Sequence, residues 1–171
     1  MPVVPVDRNS DQFYGMLSYR PDIARAWKRL DTAMHAPSST LPWRLKENAR
    51  RYMAKQVGCE FCASFGDPEL EGLSPQERLA LEFTERLIKD HRSIDETMIA
   101  AIRSHFSEEQ LVELIAWTCF KLGANVLGAV SHLDPAGEDV RATAAQIHQS
   151  LLEQDQRIPL TSSAAPGNGG A

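Results

Sequence analysis

Frequent helix start and stop signals, with almost no strand pattern, constrain the fold of this chain most strongly. Ser74-Pro75-Gln76-Glu77 combines a serine N-cap, a proline at the first helical position and a glutamate placed for a capping box. Ser107-Glu108-Glu109-Gln110 is a second start signal. Between such signals, apolar residues recur at the spacing of a helix. The sequence therefore predicts an all-α fold.

These signals divide the chain into about seven to eight helices. The predicted helices are Ser10–Tyr19, one that begins at Pro21 and ends before Pro37, Leu41–Val57, one from Ser74 to about Asp90, a shorter one after Ser93, one that begins at Ser107 and one that ends near Leu152. Asp134-Pro135 is expected to end the sixth of these and to cap the last. Residues 1–155 are expected to form a single domain and residues 156–171 a disordered tail.

Charge and composition exclude several classes of protein. The net charge is −5 and no block of Lys or Arg stands out, so a nucleic-acid partner is not expected. Met1–Arg8 lacks the basic stretch and apolar stretch of a signal peptide. Three cysteines without such a signal argue against a disulfide framework. We therefore expect a cytoplasmic protein whose thiols are reduced.

The most apolar window, Leu114–Leu133, is long enough to cross a membrane. It contains Lys121, Asn125 and His132 together with two glycines. Polar residues of this kind are costly in a bilayer, whereas a buried central helix of a soluble protein accommodates them. No membrane association is therefore expected.

Cys59-Glu60-Phe61-Cys62 is the motif with the clearest chemistry. Two cysteines three residues apart can form a disulfide with little backbone movement, which favours a redox pair. A zinc site would need a second pair of ligands, and the remaining cysteine, Cys119, is expected to be a small core residue. We therefore expect no metal and no other cofactor. Two buried structural cysteines remain an alternative.

Glu47 lies twelve residues before the first cysteine of this motif. The combination of Leu41–Glu47 with Gly58–Cys62 resembles the thiol motif of the alkylhydroperoxidase (AhpD-like) and carboxymuconolactone decarboxylase superfamily. Leu73–Phe83 and Phe106–Leu114 are similar to helices that follow the motif in peroxidase-related members. The resemblance spans roughly residues 10–135.

This resemblance implies an AhpD-like helical bundle that assembles as a homo-oligomer, either a trimer, a larger multiple or a dimer. It also implies a thiol-dependent peroxidase that acts on a small organic hydroperoxide. Cys62 would attack the peroxide, Cys59 would resolve the product to a disulfide, and Glu47 would be the base or proton relay. A dithiol reductant protein would then restore the thiols.

The chain departs from the family pattern at two positions. Peroxidase members carry a histidine four residues after the second cysteine and often another just before it, where this chain has Gly66 and Phe61. His132 is therefore considered as a relay contributed by the fold. Phe61 and Arg51 are candidates for the substrate pocket.

Two other functions remain open. Some superfamily members act on lactones by proton transfer and decarboxylation, and Glu47 with Arg44 or Arg51 could supply the acid–base group and a cation for a carboxylate. The dithiol has no use in such chemistry. A non-catalytic scaffold that senses redox state through its cysteines is the third alternative.

Overall fold

The computed structural model describes residues 1–35 and 38–155, and these residues form eight α-helices, one short 3-10 turn and no strand. The all-α prediction is confirmed, whereas the predicted tail, 156–171, lies outside the described residues. The helices are α1 (Gln12–Leu17), α2 (Pro21–Met34), α3 (Trp43–Val57), α4 (Glu60–Ala63), α5 (Pro75–Asp90), α6 (Glu96–Arg103), α7 (Glu108–Val130) and α8 (Glu138–Asp155).

The predicted capping box at Ser74 forms, and the predicted helix start at Ser107 also carries a capping box. The Ser74 hydroxyl accepts a hydrogen bond from the Glu77 backbone N–H, and the Glu77 carboxylate accepts one from the Ser74 N–H. Ser107 and Gln110 make the same reciprocal pair at the start of α7. These contacts satisfy backbone donors that a helix start otherwise leaves free.

The predicted start of the last helix at Asp134-Pro135 is wrong. α7 ends at Val130, and α8 begins only at Glu138. The buried Gln12 amide donates to the Asp134 backbone oxygen at 3.2 Å and accepts from its N–H at 3.3 Å. This side chain thus takes the backbone groups that a helix start would use, and residues 131–137 form a loop against α1.

The contact between α3 and α7 organises the core. Lys46 of α3 is 1% exposed, and its ammonium donates to Glu113 of α7 at 2.9 Å, to the Met34 backbone oxygen at 2.7 Å and to the Ser39 hydroxyl at 2.7 Å. The Trp117 indole donates to the Lys46 backbone oxygen at 2.8 Å. α3 also packs against α4, α5 and α8, so it is the central helix of the bundle.

α7 is only partly the buried central helix that its composition predicts. By length and composition alone it could cross a membrane, a test that core helices of soluble proteins also pass, and 33% of its most apolar window is buried. Its outer face exposes several apolar side chains, namely Val112, Ile115, Val126 and Val130. Cys119 is exposed as well, so its prediction as a core residue is wrong. It follows Ile115 by one helical turn and shares that outer face.

α2 lies across α1 and α7 without burying a residue of its own. The Trp27 ring packs against Phe13 and Phe120, with ring centroids 5.6 and 5.1 Å apart. Asp31 pairs with the Lys121 ammonium of α7 at 2.7 Å. α2 is therefore held by a few aromatic and ionic contacts, and its inner face forms one wall of a cavity.

We expect Glu113→Gln to destabilise the protein by about 3 kcal/mol, because it leaves the buried Lys46 ammonium without a counter-charge. Burial alone would raise the pKa of Glu113, but hydrogen bonds from Ser39, Lys46 and Thr40 outweigh it and lower the pKa. The ion pair therefore stabilises the fold fully above the ordinary pKa of 4.5, and this stability is lost as the pH falls through the lowered value. Urea unfolding at several pH values measures both effects.

The matched control is Glu82→Gln, which breaks an exposed ion pair with Arg86 on α5. Such pairs contribute little, so the change should stay below about 0.5 kcal/mol. Equal effects of the two substitutions would contradict the role given to Lys46 and Glu113.

Candidate dithiol active site

The end of α3 presents the two cysteines. Gly58 adopts a left-handed conformation, with φ +74°, which ends α3 and turns the chain. Cys59 is then the N-cap of α4, and its sulfur accepts a hydrogen bond from the Cys62 N–H at 3.1 Å. The two cysteines form a disulfide, and both are buried.

A cavity of about 1500 Å³ lies beside this disulfide, with walls from α1, α2, α3, α4, α7 and α8. Four of the predicted site residues line it: Glu47, Arg51, Phe61 and Cys62. Cys59 is fully buried behind Cys62 and does not reach the cavity. Of the two cysteines, Cys62 therefore borders the cavity and Cys59 does not.

His132 is not brought to this cavity. It lies in the turn after α7, is exposed, and has a φ of +53°. It is absent from the cavity wall. The position is thus a surface turn, where an imidazole meets solvent.

The backbone of α7 packs directly against the disulfide at Gly128. A Cβ atom at this position would lie 2.6 Å from the Cys59 sulfur and 3.2 Å from the Cys62 sulfur. Real Cβ atoms do not approach a neighbour so closely, so a side chain here would displace the helix or the sulfurs. The lack of a side chain at Gly128 is what allows α7 to contact both sulfurs.

Two guanidinium groups share the carboxylate of Glu47. Arg50 donates to it twice, at 2.7 and 2.8 Å, and Arg51 donates at 2.9 Å. Burial alone would raise the pKa of Glu47, but the charges and hydrogen bonds of Arg50 and Arg51 outweigh it and lower the pKa. Glu47 is therefore an anion at neutral pH and a weak base.

The same two arginines contact the cysteine segment. Arg50 donates to the Cys62 backbone oxygen at 2.9 Å. The guanidinium of Arg51 lies against Gly66, where a Cβ atom would come within 3.2 Å of its central carbon. Gly66 also has a φ of +121°, which favours glycine. The family resemblance predicts a histidine at position 66. The chain has a glycine there, and the Arg51 guanidinium of α3 lies beside it.

Sequence reasoning missed two histidines of the cavity wall, His35 and His148. His148 Nδ1 accepts from the Trp43 indole at 2.7 Å, which puts the proton of the neutral ring on Nε2. Arg51 lies 3.4 Å from Nε2. Burial and the charge of Arg51 lower the pKa of His148. His148 lies on α8, 97 residues after Arg51, and no local sequence pattern predicts its place in the cavity wall.

Burial and the Lys121 charge likewise lower the pKa of His35. Both histidines of the wall are therefore neutral at pH 7.

Lys121 and Asn125 of α7 also line the cavity, and the sequence does not predict a functional role for either. Burial lowers the pKa of Lys121, and the Asp31 carboxylate opposes this effect only in part. Asn125 is 1% exposed and donates to the Lys121 backbone oxygen at 2.7 Å, while its own side-chain oxygen has no hydrogen-bond partner among the described residues. In that part of the chain, no group of three or more His, Cys, Asp or Glu is arranged to hold a metal ion.

Comparisons of the chain with protein-family models, with curated proteins and with solved structures give no significant match.

We expect Gly128→Ala to destabilise the oxidised protein by about 1–3 kcal/mol, because the added methyl group overlaps both sulfurs. Thermal unfolding with and without reductant measures the effect. The reduced protein should lose less stability, since its sulfurs can move apart.

Gly123→Ala is the matched control on the same helix, because a Cβ atom there meets nothing within 4 Å. It should stabilise α7 by about 0.5–1 kcal/mol through helix propensity. If both variants behave alike in both redox states, Gly128 has no special relation to the disulfide.

Proposed function

We propose that this protein is a thiol-dependent peroxidase or disulfide oxidoreductase of the alkylhydroperoxidase type. The observation that carries the proposal is the asymmetry of the dithiol. Cys62 borders a large cavity, while Cys59 is bonded to it from behind and is fully buried. A substrate in the cavity meets one sulfur, and the other is in place to resolve the product.

The reaction follows from this arrangement. The Cys62 thiolate attacks the terminal oxygen of an organic hydroperoxide, the O–O bond breaks, and the alkoxide takes up a proton to leave as the alcohol. Cys62 is then a sulfenic acid. Cys59 attacks that sulfur, the S–O bond breaks and water leaves, which forms the disulfide. One thiolate of a dithiol reductant attacks Cys62, and Cys59 leaves as a thiolate that the Cys62 N–H stabilises. The second thiol of the reductant then breaks this mixed disulfide, which frees the Cys62 thiolate and leaves the reductant as a disulfide.

We assign the arginines the task of favouring the Cys62 thiolate. Arg50 is 13% exposed and donates to the Cys62 backbone oxygen, so its charge lies close to this residue and is poorly screened. Glu47 holds both guanidiniums, and its lowered pKa favours a positioning role over that of a general base. This replaces the relay role that the resemblance implies for Glu47.

The remaining parts of the proposal concern the assembly and the partners. The exposed apolar stripe on α7, with Val112 at one end and Val130 at the other, supports a homo-oligomer. A dithiol reductant protein and a reducing, cytoplasmic environment fit a pair of thiols that must be regenerated. The charge of −5 gives no reason to add a nucleic-acid partner.

Acid–base chemistry on a lactone is the second candidate. Glu47 and Arg51 lie together in the cavity wall, which favours it. Arg44 does not, because it is paired with Glu69 and Glu77 at 2.9 and 2.6 Å and is not part of the wall. Full lactone turnover in Cys59→Ser/Cys62→Ser would favour this candidate over the peroxidase.

A redox-sensing scaffold is the third candidate. It would change its oligomer size with reductant and show no peroxide turnover.

We expect Cys62→Ser to reduce the turnover of cumene hydroperoxide, with dithiothreitol as reductant, to the uncatalysed rate. Cys59→Ser should still form a sulfenic acid at Cys62, which a dimedone-type probe traps and mass spectrometry locates. Cys119→Ser is the control and should keep full activity, since this thiol is exposed on α7. Wild type and Cys62→Ser consuming the peroxide at one rate would refute the proposal.

We expect Arg50→Gln to slow the alkylation of reduced Cys62 by iodoacetamide at pH 7 by about tenfold, because it removes a nearby positive charge that favours the thiolate. The two proteins should react alike at pH 10, where the thiol is ionised in both. Mass spectrometry in a Cys119→Ser background follows the reaction at one site. Arg86→Gln, far from the cavity on α5, is the charge-matched control, and an unchanged rate in Arg50→Gln would contradict the role of this arginine.

A further inference from the structure

The cluster beside Cys62 carries an uncompensated charge. Arg50 and Arg51 contribute two positive charges, and Glu47 contributes a single negative one. The three side chains are 13%, 17% and 8% exposed. A net charge with so little exposure to water is costly unless an opposite charge joins it.

Arg51 is the member of the cluster with hydrogen-bonding capacity to spare. Its Nε donates to Glu47 at 2.9 Å. Its two terminal nitrogens have only long contacts, at 3.5 Å to the Asp67 backbone oxygen and at 3.4 Å to His148 Nε2. The neutral His148 carries its proton on Nε2, so this last contact is between two donors. The outer edge of the guanidinium therefore lacks a good acceptor among the described residues.

The rest of the cavity has the same character. Seven Lys or Arg residues and three Asp or Glu residues line it, although the whole protein has a net charge of −5. Six aromatic side chains share the wall, among them Phe61, Phe65 and Trp43. The cavity thus combines an excess of positive charge with a large apolar surface, and its two histidines are neutral.

We propose that the cavity binds organic carboxylates with an apolar body, and that the carboxylate forms a two-pronged ion pair with the terminal nitrogens of Arg51. A guanidinium edge matches the spacing of two carboxylate oxygens. A single negative charge neutralises the cluster, whereas a phosphate dianion would leave an excess of negative charge. Since the proposal names the substrate class for the dithiol site, it rests on the proposed function, and a carboxylate-bearing hydroperoxide is the resulting substrate.

The test measures binding without turnover. Oxidised wild-type protein is titrated with 3-phenylpropionate and with 3-phenylpropan-1-ol, which share a body and differ in charge. Isothermal titration calorimetry gives both dissociation constants, and the carboxylate should bind at least tenfold more tightly. Neither compound reacts with a disulfide, so the result does not depend on whether the protein is a peroxidase.

Variants assign the preference to Arg51. In Arg51→Gln the two compounds should bind with nearly equal affinity, and the affinity for the alcohol should stay as in wild type. Arg51→Lys should keep part of the preference, which also covers the case that the glutamine variant fails to fold. Arg103→Gln, exposed on α6 and away from the cavity, is the control and should keep it all.

Three outcomes would overturn the proposal: equal binding of both compounds to wild type, a full preference in Arg51→Gln, or no binding of the carboxylate at millimolar concentration. Tighter binding of 2-phenylethylphosphonate than of the carboxylate would overturn the choice of a monoanion. If Cys62→Ser loses peroxide turnover while any of these results is obtained, the peroxidase proposal stands. Only the assignment of carboxylates as the substrate class then fails.

Discussion

The buried ammonium of Lys46 sets how α3 and α7 pack against each other. It must find acceptors inside the protein, and it finds them on α7 and on the segment before α3. These bonds fix the rotation of α3 about its axis. Glu47, the next residue, is then directed to the cavity, and the end of the same helix delivers Cys59 and Cys62 to α7. The core and the dithiol site are thus aligned by one helix.

Much of the fold follows from local patterns. The helix starts at Ser74 and Ser107 depend on contacts within four residues, so the sequence predicts both starts well. The start of α8 depends on Gln12, which is 122 residues from Asp134, and local rules cannot anticipate it. Cys119 was placed wrongly because composition reveals that α7 is apolar, but not which of its faces another element covers.

The candidate site also combines residues that the sequence predicts with residues that depend on long-range contacts. Spacing predicts the cysteine pair, the family resemblance predicts Glu47, and a helix places Arg50 and Arg51 within reach of that carboxylate. His148, Trp43 and the role of Gly66 depend on how α3, α4 and α8 meet. The positive φ of Gly66 and the nearby Arg51 guanidinium both disfavour a side chain at this position.

The contact of Gly128 with both sulfurs also bears on oxidative damage. Sulfinic and sulfonic acids carry additional oxygen atoms, and the space around the Cys59 sulfur is closed by the backbone of α7. Irreversible overoxidation of Cys59 therefore requires a displaced helix, whereas Cys62 has the open cavity beside it. The packing that brings the two sulfurs together thus protects one of them and leaves the other as the vulnerable atom of the pair.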